Sequence, residues 1–281
     1  MTTIPKLIFI VPYRDRPNQK QHFSIYMRYI MEDYNKDDYE IYYSHQTDSR
    51  MFNRGATKNI GFLAIKEKYP NDYKNITIVF NDIDTLPSTK NLFDYITRTG
   101  VVKHFYGFTF ALGGIVSITG EDFEKCNGFP NNWGWGLEDN ALNNRVLQHS
   151  IINRDQFIPI NNPQVIHLYD NPNRIVNMKE PGLFMNNQLR DNLDSIHGLV
   201  YTIDGTDTNN LMTNESINKI TDIKQNEYII NIHKFLTLIK ENNSTFYSQN
   251  LITEPLLSTN KVVSVKKRHV QPRWLLKNNY I

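Results

Sequence analysis

Leu7-Ile8-Phe9-Ile10-Val11 runs directly into Pro12-Tyr13-Arg14-Asp15-Arg16-Pro17. Five apolar residues halted by a charged, proline-bearing loop read as a buried strand that ends at a ligand-facing turn. Downstream the same grammar repeats. Residues from about Gln19 to Asp33 suit a helix, Tyr39 to Ser44 a strand, Asn59 to Tyr69 a helix and Ile76 to Phe80 another buried strand. Strands alternating with helices predict βαβ units and a mostly parallel sheet. Ligands of such sheets sit beyond the carboxyl ends of the strands. Arg14-Asp15-Arg16 and Asn81-Asp82-Ile83-Asp84 both fall there.

From Val101 to about Thr119 the pattern turns antiparallel, broken by Gly113-Gly114. A loop rich in glycine, tryptophan and asparagine follows from Gly128 to Gly136, then a helix from about Glu138 to Gln148. Residues 153–200 read as irregular, Tyr228 to His233 as a late strand and Phe235 to Lys240 as a short helix. The expected division is therefore one α/β domain over residues 1–234 and a C-terminal extension over 235–281. The domain is expected to hold a mixed, mostly parallel central sheet flanked by helices.

The bulk properties narrow the function. The 281 residues carry 31 Lys and Arg against 29 Asp and Glu, a balance with no basic excess for nucleic acid. Cys126 is the one cysteine, so no intramolecular disulfide can form. Leu7 to Val11 is far shorter than the roughly 20 apolar residues of a membrane span and lacks a signal peptide's layout. The expectation from these features is a soluble, cytoplasmic chain with no membrane span.

Three patterns carry chemistry. Asp82 and Asp84 flank one residue on a strand-end turn, where two carboxylates either converge on a hard divalent cation or punctuate a solvated turn. Trp133-Gly134-Trp135-Gly136-Leu137-Glu138-Asp139 sets two indoles among glycines ahead of paired acids. The acids alone suit a helix N-terminus; the indoles suit the apolar faces of sugar rings and imply a binding loop. His167 is a third metal ligand if the acids lie near it, and a packed or exposed histidine otherwise. Arg14, Arg16 and Arg54 follow apolar segments and are either diphosphate-binding forks or surface charges.

Together these segments resemble the β1,4-galactosyltransferase family, whose members are inverting enzymes of GT-A, Rossmann-like fold. The resemblance rests on Val11-Pro12-Tyr13-Arg14-Asp15-Arg16, Phe52-Asn53-Arg54, Asn59-Ile60-Gly61-Phe62 and Phe80-Asn81-Asp82-Ile83-Asp84. It continues in Gly113-Gly114, Gly128-Phe129-Pro130-Asn131-Asn132, the Trp133–Asp139 tract and His167. It spans roughly residues 5–235.

What it implies is a transfer of galactose or N-acetylgalactosamine from a UDP-sugar to a carbohydrate acceptor hydroxyl by single displacement. Asp84 and His167 would bind Mn²⁺ (or Mg²⁺ in its place), Asp82 and Gly114 would meet the donor, and Arg14, Arg16, Phe52 and Arg54 would line the uridine and diphosphate pocket. Trp135 would cap donor and acceptor on a loop hinged at Gly134 and Gly136. Asp139 would be the base, with Glu138 assisting.

The chain departs from the family in three places. Gln164 stands where animal members carry a metal-ligating methionine and would be a third metal ligand, its harder amide oxygen easing the substitution of Mg²⁺ for Mn²⁺; Asn140 and Ala141 replace acids that grip the acceptor. Ala111 replaces an aromatic that restricts the donor's C2 substituent, which leaves room for an N-acetyl group. The competing readings are UDP-glucose or UDP-N-acetylglucosamine as donor, a catalytically silent sugar-binding module, and a phosphohydrolase built on Asp82 and Asp84.

Overall fold

The structure, a computed structural model, describes residues 3–168, 173–177, 191–205, 226–241 and 246–250. The chain opens with strand β1 (Leu7–Tyr13), helix α1 (Pro17–Ile30), β2 (Tyr39–Gln46), α2 (Arg54–Lys68), β3 (Thr77–Asn81) and the short β4 (Thr85–Pro87). Next come β5 (Val101–Gly107), β6 (Ile115–Thr119), α3 (Gly120–Lys125) and α4 (Glu138–Val146). The described remainder is mostly strand: β7 (Ile151–Asn153), β8 (Ile158–Pro159), β9 (Val165–His167), β10 (Asn173–Asn177), a 3-10 turn at Leu193–Ser195, β11 (His197–Gly205), β12 (Glu227–Leu236) and β13 (Phe246–Asn250).

The central sheet has the order β11-β12-β2-β1-β3-β6-β5-β7, with β8 also on β5. β12, β2, β1 and β3 run parallel to one another, whereas β11 is antiparallel to β12 and β6 is antiparallel to both β3 and β5. β1 lies in the middle, which explains why its apolar run is continuous rather than alternating: both of its faces are covered. Leu7, Phe9 and Val11 pack with Phe23, Met27 and Ile30 of α1, while Ile8 and Ile10 pack with Ile60, Phe62 and Ile65 of α2. The period-two alternation of a strand thus divides one sequence run between two cores.

Several element boundaries differ from the sequence expectation. α1 starts at Pro17 and stops at Ile30, its proline standing at the first helical position, where the missing N–H costs nothing. α2 begins at Arg54, five residues before the expected start, because Asn53 caps it: the Asn53 side chain accepts from the Ala56 N–H at 2.9 Å. Arg54 therefore lies on the first turn of a helix and not on a loop.

Residues 153–200, read as irregular, contain β8, β9, β10 and the start of β11. The helix expected over Phe235 to Lys240 is absent, and the boundary expected after residue 234 falls inside β12, which continues to Leu236 paired with His197. Tertiary packing decides this: Phe235 is fully buried and stacked on Trp133, with ring centroids 5.4 Å apart. Among the described residues no helix is long and apolar enough to cross a membrane.

Candidate active site

The site gathers beyond the carboxyl ends of β1 and β3 and at the first turns of α2 and α4. Asp82 to Asp84 leave β3 in a tight turn whose backbone is tied down, with the Asp82 N–H donating to the Gly114 carbonyl at 2.9 Å. Antiparallel pairing of β4 with β9 then sets Thr85 opposite His167. That pairing brings the two expected metal ligands together: His167 Nε2 lies 4.0 Å from Asp84 Oδ2, and the Leu168 N–H donates to the Asp84 carbonyl at 2.7 Å.

Two bonds of about 2.1 Å to one cation span up to about 4.2 Å, so at 4.0 Å this oxygen and nitrogen are within reach of a single Mn²⁺ or Mg²⁺ at a wide angle, and a small closing movement would bring them to octahedral neighbours. Arg16 Nη1 stands 2.8 Å from the same Asp84 oxygen. Gln164, the third expected ligand, precedes His167 by three residues, and its carbonyl accepts the Ser88 N–H at 2.8 Å. Its side chain is exposed and it stands one residue before β9 begins. Among the described residues no group of three or more His, Cys, Asp or Glu side chains gathers to hold a metal.

The second half of the site is built around one guanidinium. Arg54 donates to Asp82 Oδ1, to Glu138 Oε1 at 2.7 Å and to Asp139 Oδ2 at 3.1 Å. One helical turn further along α2, Lys58 donates to Asp139 Oδ1 at 2.8 Å. Burial works against the Arg54 charge, but its three carboxylates outweigh it and hold the guanidinium protonated.

The two adjacent acids separate electrostatically. Burial, and then the charge of Asp139, push Glu138 above the ordinary carboxylate range. Burial also acts to raise Asp139, yet Lys58 and Arg54 together prevail and hold it below that range. The sequence reading missed Lys58. The signal was a like-charged pair, Arg54 and Lys58, at i and i+4 on one helix face, which is repulsive unless an acid lies between.

Both acids enter α4 through Leu137, whose φ of 69° is a left-handed conformation a branched residue adopts only under constraint. Two glycines complete the surroundings of Asp139. A Cβ on Gly113 would lie 2.6 Å from Asp139 Oδ2, so a side chain there would close off that oxygen. Gly114 has a φ of +70°, and a Cβ on it would meet the Tyr106 carbonyl at 2.4 Å.

The tryptophan loop is held more firmly than expected, and its two indoles part company. Trp133 is 2% exposed, stacks on Phe235 and donates its indole N–H to the Ile239 carbonyl at 2.8 Å. It anchors the core and offers no face to a sugar. Trp135 is only half-buried, and its backbone N–H reaches the Ile175 carbonyl of β10 at 2.7 Å.

Buried asparagines fix this loop to α2. Asn53 donates to the Asn131 carbonyl at 2.9 Å, and Asn59 donates to the Phe129 carbonyl at 2.8 Å while accepting the Phe129 N–H at 2.9 Å. Of the remaining expected donor contacts, Arg14 donates to the Arg50 carbonyl and to Asp15, and Phe52 accepts the Gly134 N–H at 3.0 Å through its carbonyl. Ala111 is buried in the loop that leads to Gly113.

Comparisons with known proteins bear on the family and the fold. A family model described as the N-terminal region of glycosyl transferase group 7 matches residues 2–95, and one described as the N-terminal domain of galactosyltransferase matches residues 102–168. Xylosylprotein 4-beta-galactosyltransferase of Caenorhabditis elegans is 33% identical over 159 residues, which is 53% of this chain and 53% of that protein. Beta-1,4-galactosyltransferase 1 of Bos taurus is 33% identical over 150 residues, 50% of this chain and 36% of that protein. The chain thus spans about half or less of the length of these curated relatives.

Among solved structures, the catalytic domain of Drosophila β1,4-galactosyltransferase 7 in complex with xylobiose superposes with a TM-score of 0.61 at 23% identity, covering 86% of this chain and 98% of that one. A mutant of the same enzyme, in complex with manganese, UDP-Gal and xylobiose, superposes with a TM-score of 0.60 at 22% identity over the same shares. The fold is therefore GT-A, an α/β architecture with a mixed, mostly parallel sheet.

Proposed function

We propose that this chain, which belongs to the galactosyltransferase family of glycosyltransferase group 7, transfers galactose from UDP-galactose to a hydroxyl of a saccharide acceptor with inversion at the anomeric carbon. The observation that carries the reading is the reach of Arg54. One guanidinium ties Asp82, two residues from the metal-pair carboxylate Asp84, to Asp139 at the start of α4, so donor-side acids and a base share one site. The relatives support the donor: one neighbouring structure is a complex with manganese, UDP-Gal and xylobiose.

Asp84 and His167 would hold Mn²⁺, which when bound neutralises charge on the diphosphate leaving group. Arg16, already beside Asp84, adds a guanidinium to the same place. Arg14, Phe52, Asp82, Gly114 and Trp135 are assigned to the nucleotide-sugar. Arg54 is assigned to organising the acids, since three carboxylates engage it.

In the chemical step Asp139 Oδ2, left accessible by Gly113, takes the proton of the acceptor hydroxyl. The freed oxygen attacks the anomeric carbon opposite UDP, and the bond to the phosphate oxygen breaks. No protein nucleophile intervenes, so the configuration inverts. Glu138 holds the loop through the Gly136 N–H at 3.1 Å. UDP-N-acetylgalactosamine is the second donor to test, because residue 111 is a small alanine.

The test is Asp139→Asn, assayed with UDP-galactose, manganese and a panel of saccharide acceptors. Turnover should fall about 10²–10⁴-fold, the usual worth of a general base, with donor affinity kept. Turnover at the unaltered rate rejects the base. A product retaining the donor's anomeric configuration rejects single displacement.

A further inference from the structure

Lys58 is a buried cation with no part in the donor, the metal pair or the acceptor as assigned above. It is 1% exposed, and its ammonium lies 4.4 Å from the centre of the Phe129 ring and 2.8 Å from Asp139 Oδ1. Burying an ammonium costs several kcal/mol unless a partner compensates it. A leucine or methionine would fill a helix position against Phe129 without that cost.

The two oxygens of Asp139 are held unequally. Oδ1 takes the short bond from Lys58. Oδ2 shares Arg54 Nη1 with Glu138, and the Glu138 contact is the shorter at 2.7 Å against 3.1 Å. Oδ2 is also the oxygen that faces the space kept open by Gly113.

We propose that Lys58 is a positioning residue for the base, gripping Oδ1 so that the carboxylate stays ionised and presents Oδ2 to the incoming hydroxyl. This rests on the reading of Asp139 as the base. The charges around Asp139 fit it. Lys58 and Arg54 from α2 favour the ionised form, while Glu138 beside it and Asp82 across Arg54 oppose it. His104, behind Gly113, is kept neutral by burial and by Arg154, its imidazole pushed down to about 4. With two carboxylates opposing and Arg54 divided among three acids, Lys58 is the cation whose one close carboxylate is Asp139.

The experiment follows the carboxyl ¹³C resonance of Asp139 against pH in metal-free protein labelled at aspartate, assigned by its loss in Asp139→Asn. In the unaltered protein the midpoint should lie below the ordinary aspartate value. Lys58→Met should raise it by about one to three pH units, the usual effect of removing an adjacent opposite charge. Lys58→Arg, which keeps the charge, should leave it low. The acid limb of kcat with UDP-galactose and manganese should move upward in Lys58→Met by a similar interval, with turnover recovering above the new limb.

A purely structural lysine would lower the melting temperature of Lys58→Met while the midpoint and the limb stayed in place, and that result overturns the proposal. Where the methionine variant does not fold, Lys58→Gln, neutral but still a donor, gives the same reading. Normal turnover in Asp139→Asn removes the base and the role of Lys58 with it. An unmoved Asp139 midpoint in the presence of an inactive Asp139→Asn removes Lys58 alone.

Discussion

Replacing Gly113 by alanine tests, with a single methyl group, the accessible face of Asp139, the proposed base. The new Cβ would lie 2.6 Å from Asp139 Oδ2 and 3.1 Å from its Cγ, about 0.8 Å inside the 3.4 Å at which ordinary contact begins. The backbone at residue 113 is not in the left-handed region, so the methyl itself brings no conformational strain. Asp139 cannot retreat freely, because Lys58 holds Oδ1 at 2.8 Å and Arg54 holds Oδ2 at 3.1 Å. The carboxylate must rotate or shift by most of an ångström.

Misplacing a reacting group by about 1 Å costs on the order of 10²-fold in rate, equivalent to about 2.7 kcal/mol of transition-state stabilisation. Gly113→Ala should therefore lower kcat about 100-fold in a UDP-release assay with UDP-galactose, manganese and a saccharide acceptor. Affinity for UDP-galactose, measured by calorimetry without acceptor, should change little, since the methyl faces Asp139 and not Asp84 or His167. A variant with unaltered kcat would refute the argument that Oδ2 is the reacting oxygen. A variant that lost donor affinity and kcat together would place the methyl in the donor pocket instead.

The remaining expectations concern stability, pH and metal. Trp133→Ala removes a fully packed indole and should cost about 3–5 kcal/mol in urea unfolding; an unchanged midpoint with lost activity would return Trp133 to the sugar site. Burial pushes the His104 imidazole down to about 4, so between pH 6.5 and 4 the unfolded chain binds a proton that the native state refuses. Stability should thus fall by about 3 kcal/mol as pH drops through that window. His104→Gln should flatten the loss, and an unaltered acid profile would sink the assignment. His167→Ala should weaken manganese binding in calorimetric titration while leaving the thermal transition near that of the unaltered protein; equal metal affinity would take His167 out of the site.

Much of the architecture follows from local pattern. The continuous apolar run Leu7–Val11, the polar break after it and the repeat of that rhythm to Phe80 are enough for a parallel sheet with a site beyond its strand ends. Polar residues interrupting apolar runs fall where strands must stop. Asp82, Asp84, Glu138 and Asp139 each had an ordinary structural reading, as turn punctuation or as acids at a helix start; the glycine-flanked indoles beside them, and the resemblance of the segments taken together, made them legible as chemistry.

What no local pattern contained is distance. His167 meets Asp84 because β9 pairs antiparallel with β4, which sets Thr85 opposite His167. Trp133 and Trp135 look alike in sequence, yet Phe235 arriving on β12 buries the first and leaves the second half-exposed. Lys58 reads as an ordinary helix lysine until α4 sets Asp139 against it. Periodicity along a chain reports which face of an element is apolar; which faces meet is decided by the packing of elements far apart in sequence, and the partners of each charge are decided there as well.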